Sequence, residues 1–169
     1  GIIQSNSAEL IQLVNNVLAL SRLEANMMKF QIQEYDAVAL CNDAIYMARM
    51  RNEETIEIYF DTHIETQPIT TDTGRLIQAL VSTLTYPQKN TAHREITFTL
   101  TRDDSGKQIC FRISNSPLAD PEFNSQEVSI RHDINRLLLQ HFGGSYNITA
   151  DEQERPVINF TYPLDIISE

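Results

Sequence analysis

The stretch from about Ser5 to Met28 constrains the chain more than any other. Leu10, Leu13, Val17 and Leu20 recur at alternating steps of three and four, with Ile3 one heptad before Leu10 and Met27 one heptad after Leu20. Such spacing puts every one of these side chains on a single seam of a helix and on no face of a strand. Ile11, Val14 and Leu18 form a second stripe beside the first, so the apolar face is wider than a two-stranded zipper needs and fits a helix packed in a bundle. Roughly six helical turns with two stripes exceed what a small sheet can cover. The pattern therefore predicts a dimerisation or bundle helix whose seam is Leu10, Leu13, Val17, Leu20 and Met27. The alternative is a long helix lying on its own domain.

Near residue 28 the texture changes, which places a domain boundary between 1–28 and 29–169. Lys29 to Tyr35 alternates like a strand, and Asp36 can cap a helix through Val38, Leu40, Cys41, Ala44, Ile45 and Met47. Three further alternating runs, Ile56-Ile58-Phe60, Ile96-Phe98-Leu100 and Ile109-Phe111-Ile113, read as strands. Asp103-Asp104-Ser105-Gly106 joins the last two as a hairpin turn, with Gly106 available for a positive φ. A helix is predicted over about Thr73 to Leu84 and another over about Ile130 to Phe142, ending at Gly143-Gly144. A strand over 157–162 closes the chain. The fold class is thus α+β: a long N-terminal helix, then a two-layer sandwich whose mixed, largely antiparallel sheet is covered on one face by helices.

Charge narrows the partners. With 23 acidic and 13 basic residues the net charge is −10, which opposes sequence-independent binding to nucleic acid or an anionic membrane. No apolar run reaches the roughly 18 residues that span a bilayer. Cys41 and Cys110 lie far apart in apolar stretches and suit reduced thiols in a cytoplasmic setting; no metal-ligand spacing is present. The five glycines form neither a GxGxxG nor a GxxxxGK[ST] loop. Ser116 and Ser129 lack a His and Asp arrangement, so no catalytic residues are assigned.

The run Asn6 to Ala25, above all Leu20-Ser21-Arg22-Leu23-Glu24, resembles the second helix of the dimerisation and phosphotransfer hairpin of bacterial sensor histidine kinases. Thr71-Asp72-Thr73-Gly74-Arg75-Leu76-Ile77-Gln78-Ala79-Leu80 is similar to that family's approach to its asparagine box. Leu137 to Gly144, with Tyr162-Pro163-Leu164, is similar to its last helix and closing strand. The resemblance covers nearly the whole chain. It implies a hairpin truncated to one helix, followed by an ATP-binding domain of the type shared with gyrase, the MutL proteins and the heat-shock chaperone ATPases. It also implies ATP and magnesium as the family's ligands.

The nucleotide contacts depart from the family. Aligned through Arg75-Leu76 and Leu80, the first asparagine of the box falls on Ser82, and the magnesium-binding one falls on Tyr86, followed by Pro87. A phenol is a poor ligand for a hard cation. Lys89 and Thr91 match the end of the box. The first glycine box falls on Asn115-Ser116-Pro117-Leu118-Ala119, with Asn115 for the adenine-binding aspartate and Pro117 and Ala119 for the glycines. The second falls on Ser129-Ile130-Arg131-His132, with Ser129 and Arg131 for its glycines. The link from Asp120 to Val128 is short for a nucleotide lid and carries three carboxylates that would repel a polyphosphate. His132-Asp133 lacks the ending expected of a phosphoacceptor and reads as a polar pair in the first turn of a helix.

These departures predict a degenerate, pseudokinase-like ATPase domain in a two-component signalling regulator, without bound cofactor. It would act through protein contacts: with itself, a response regulator or a kinase. The parent protein is expected to be membrane-anchored with this portion in the cytoplasm. The alternatives are a working histidine kinase with atypical ATP binding through Lys89, Asn115 and a rearranged lid, and a stand-alone adaptor.

Overall fold

The computed structural model describes residues 2–52, 55–88 and 90–164, with side chains from residue 10 onward. Helix α1 (Ile2–Glu24) runs as the apolar spacing predicts. Its end is set by Asn26 in the left-handed region (φ 57°), with Asn26 N–H donating to the Leu23 carbonyl and Met27 N–H to that of Arg22. This double bond pattern is a Schellman stop. Met27 therefore lies beyond the helix and does not extend the seam.

Strand β1 (Gln33–Asp36) is shorter than the alternation from Lys29 suggests and pairs antiparallel with β3 (Pro68–Thr71), a strand the sequence pattern did not announce. Asp36 accepts hydrogen bonds from Val38 N–H at 3.2 Å and Ala39 N–H at 3.4 Å, which starts helix α2 (Ala37–Asn52). The remaining elements are β2 (Ile56–Thr62), α3 (Thr73–Thr83), β4 (Arg94–Arg102), β5 (Gln108–Ser114), α4 (Gln126–His141), β6 (Ser145–Ala150) and β7 (Pro156–Pro163). They build a five-stranded sheet in the order β2-β4-β5-β7-β6, parallel only between β2 and β4. The expected mixed, largely antiparallel sheet is the one observed.

One face of the sheet is apolar throughout. Ile96, Phe98 and Leu100, Ile109, Phe111 and Ile113, and Ile158, Phe160 and Tyr162 are all buried. Each such side chain contributes about 1.5–3 kcal/mol when removed from water. Leu40 and Ala44 of α2, Leu76 and Leu80 of α3, and Leu138 and Leu139 of α4 belong to the same core. The opposite face carries Thr97, Arg112 and Asn147, which are exposed. Cys41 is buried and Cys110 half-buried, both as free thiols.

Side-chain caps start both α3 and α4. Asp72 caps α3 by accepting from the backbone N–H of Arg75 (3.1 Å), and its second oxygen holds Gln31 N–H at 2.9 Å. Helix α4 begins at Gln126, four residues before the expected Ile130, because Ser125 is its cap and accepts from Val128 N–H. At its other end Gly143 (φ +81°) and Gly144 close a second Schellman pattern, with Gly144 N–H on the Leu139 carbonyl at 2.8 Å.

Helix α1 packs against α4. Leu13, Asn16, Ala19, Leu20 and Leu23 are half-buried, whereas Leu10 (61%) and Val17 (42%) stay exposed together with Ile11, Val14 and Leu18. One side of the helix thus lies on α4, and the other stays open to water. Phe30 fastens the linker by stacking on His141 at 4.1 Å. Among the described residues no helix is long and apolar enough to cross a membrane.

His132, half-buried on α4, contacts the Tyr146 hydroxyl through Nδ1 at 2.6 Å and the Leu118 carbonyl through Nε2 at 3.0 Å. A carbonyl only accepts, so Nε2 carries the proton and Nδ1 accepts from the phenol. Burial, aided by Arg136, holds the imidazole pKa below its ordinary 6.5.

Two predictions follow from these contacts. A Cβ at Gly144 would lie 2.1 Å from the Thr161 carbonyl oxygen, while one at Gly74 would meet nothing closer than 3.8 Å. Gly144→Ala is expected to cost about 3 kcal/mol or more in urea unfolding, and Gly74→Ala to gain up to about 1 kcal/mol. Because the folded state favours neutral His132, its contribution is complete above pH 6.5 and is lost as pH falls from 6.5 through the lower folded-state value. Thermal unfolding across pH 7 to 5 should show this loss, and His132→Gln should flatten it.

Candidate functional site

A cavity of about 1330 Å³ opens between α1, α3 and α4. Its floor and walls follow from the helix phases. Leu76 and Leu80 turn the core side of α3 to the sheet, so Gln78 and Ser82 face outward into the cleft. On α4 the same phase buries Leu138 and Leu139 and presents Arg131 and Asn135. A smaller cavity of about 570 Å³ adjoins it across Tyr86 and is lined by Arg94, Asn115 and Phe123.

Of the residues singled out from the sequence, Ser82, Tyr86 and Arg131 line the larger space and Tyr86 and Asn115 the smaller, whereas Pro117, Ala119 and Ser129 line neither. Ser82 donates to the Ala79 carbonyl (2.6 Å) and accepts from the Asn135 amide (3.1 Å), bridging α3 to α4. Tyr86 lies beyond the end of α3. Its hydroxyl donates to the Ala92 carbonyl at 2.7 Å, and its ring meets the buried Phe123 edge-on at 5.6 Å. The Arg94 guanidinium sits 5.8 Å from the Tyr86 centroid, within cation–π range. Lys89 lies outside the described residues.

Asn115 has φ +64° at the end of β5. Its amide nitrogen donates to the Glu95 carbonyl at 2.9 Å, and its side-chain oxygen accepts from Arg94 at 3.0 Å. Arg94 also forms an ion pair with Asp120. Ser116 is buried and donates to the Thr83 carbonyl at 2.6 Å, while it caps the short 3-10 turn Pro117–Ala119 through Leu118 N–H. Pro117 and Leu118 are buried and Ala119 is half-buried. A second 3-10 turn, Pro121–Phe123, carries Phe123 under Tyr86.

The acidic link behaves differently from the simple repulsion its composition suggests. Asp120 is matched by Arg94, and Glu127 by Arg131 at 2.8 Å, so of the three carboxylates only the exposed Glu122 makes no ion pair among the described residues. Ser129 is exposed in the first turn of α4, and Arg131 follows in the second turn instead of at the helix start.

Sequence reasoning missed Arg94, Phe123 and Asn135. All three act through contacts more than twenty residues away in sequence, which no local spacing encodes. Nor did it bring together Glu57 on β2, Glu95 on β4 and His93 just before β4, all exposed, with ligand-type atoms within 4.8 Å of one another. The parallel register opposes Glu57 to Glu95 directly, and a strand-pairing pattern was the one available signal.

No family model matches the sequence, and no curated protein matches it. Solved structures do. The Acinetobacter baumannii histidine kinase AdeS superposes with a TM-score of 0.71 at 13% identity, over 96% of this chain and 82% of that one. A histidine kinase from Burkholderia phymatum gives 0.64 at 14% identity, over 91% and 80%. The histidine kinase ThkA, in its complex with the response regulator TrrA, gives 0.68 at 16% identity, over 96% of this chain and 49% of that one. At such identities the likeness is one of fold: a long helix followed by a helix-covered, mixed five-stranded sheet, arranged as in these histidine kinases.

Proposed function

We propose that the chain is the dimerisation-helix and ATPase-type portion of a two-component signalling regulator whose nucleotide site is degenerate, and that it works through protein contacts. The observation that carries this is Tyr86. At the position that would hold magnesium stands a phenol whose proton is committed to the Ala92 carbonyl and whose ring is packed on Phe123. Asn115 supports the same reading, since the oxygen that would accept from adenine is engaged by Arg94. Pro117, rigid and buried, occupies the place of a glycine whose use is close backbone approach. The domain division at residue 28, the cytoplasmic setting and the site alignment belong to this proposal.

Titration calorimetry of the chain with Mg-ATP tests it. No binding is expected at micromolar concentrations, and micromolar affinity overturns the proposal. The alternative, a working kinase with atypical contacts, has the open cleft of about 1330 Å³ in its favour. Autophosphorylation of a longer chain that includes a preceding helix, in magnesium or manganese, would decide for it.

For partners, we propose self-association through the exposed side of α1 and docking of a response regulator, as ThkA does with TrrA. Leu10 and Val17 leave an apolar stripe in water that a second helix would cover. Sedimentation velocity should find the chain associated, and Leu10→Glu with Val17→Glu should make it monomeric without loss of helix signal. A wild-type chain that sediments as a monomer excludes the association.

A further inference from the structure

The large cleft has an electrostatic character opposite to that of the chain. Among its described lining residues are Arg51, Arg75 and Arg131 but a single acid, Glu127, although the whole sequence carries −10. Arg131 is neutralised by Glu127. Arg51 and Arg75 make no ion pair or side-chain hydrogen bond among the described residues, which leaves two cations on the cleft walls. The same lining carries side-chain amides from facing helices: Asn15 and Asn16 on α1 and Gln78 on α3. An amide both donates and accepts, as a peptide backbone does. Ile11, Leu23 and Ile134 supply apolar surface in the same groove. Its volume, about 1330 Å³, exceeds the roughly 300–1,000 Å³ of small-molecule pockets.

We propose that this groove docks an extended acidic peptide segment of a partner protein. Arg51 and Arg75 meet its carboxylates, and the amides of Asn15, Asn16 and Gln78 meet its backbone. The attraction is local, because an acidic partner is repelled by the rest of this acidic surface and gains only where the two arginines lie. This assignment rests on the cleft having been vacated by nucleotide.

The test is fluorescence anisotropy of the full chain with two labelled peptides that share the same apolar residues, one bearing glutamates and the other lysines in the same places. The acidic peptide is expected to bind, more weakly as salt rises, and the basic one not to bind. Arg51→Glu with Arg75→Glu should weaken the acidic peptide by about tenfold or more, and Arg51→Gln with Arg75→Gln by less, with circular dichroism unchanged in both. Equal binding of the two peptides, binding of neither, or an affinity unmoved by charge reversal overturns the proposal. A single-stranded oligonucleotide that outcompetes the acidic peptide also overturns it, since the groove would then be a polyphosphate site. Mg-ATP is titrated separately: micromolar binding overturns the vacated-site reading, whereas charge discrimination between the peptides is judged without nucleotide present.

Discussion

The sheet's inner face is a ladder of large apolar side chains held in register across four strands. Phe98 stands opposite Ile113, Leu100 opposite Phe111, Phe111 opposite Phe160, and Phe160 opposite Tyr146. A shift of one residue in any of these pairings would turn that strand's apolar set to solvent, so the register is fixed by burial. The helices inherit their places from it. Leu76 and Leu80 seat α3, Leu138 and Leu139 seat α4, and the space left between the two helices is the cleft. The cleft is in this sense a by-product of strand pairing, and it persists whatever residues line it.

The smaller cavity beside the cleft is lined by a network of internal satisfaction. Arg94 reaches the Asn115 carbonyl, the Asn115 side chain, the Asp120 carboxylate and the face of Tyr86. One guanidinium therefore ties the end of β5 to the 3-10 turns and to the loop after α3. Such charge-assisted contacts are partly buried and mutually dependent, so removing one leaves others without partners. The fold needs these loops held, and here side chains of the chain itself do the holding.

Legibility in the sequence followed the range of the interaction. Helix α1, the hairpin at Gly106 and the glycine stop at Gly143-Gly144 were readable because each depends on neighbours a few residues away. The start of α4 was misplaced because the apolar period from Ile130 spoke louder than the Ser125 cap. Strands β3 and β6 went unread: they are short, and β6 buries Tyr146 alone. Met27 carried the heptad forward on paper, but Asn26 had already turned the chain out of the helix. In the candidate site, Ser82, Tyr86 and Asn115 were singled out by alignment alone, while the residues they touch, Asn135, Phe123 and Arg94, come from distant segments and emerge only once the chain is folded.

The contact at Gly144 bears on how force would travel. With its backbone against that of Thr161, the turn between α4 and β6 has no slack, and α4 is pinned to the sheet at that end. A displacement of α1 that leaves this turn in place would be met at the α1–α4 contact, where one helix can roll over the other. The groove lies beside that contact, so its width would follow the roll angle of α1 while the sheet beneath stays still.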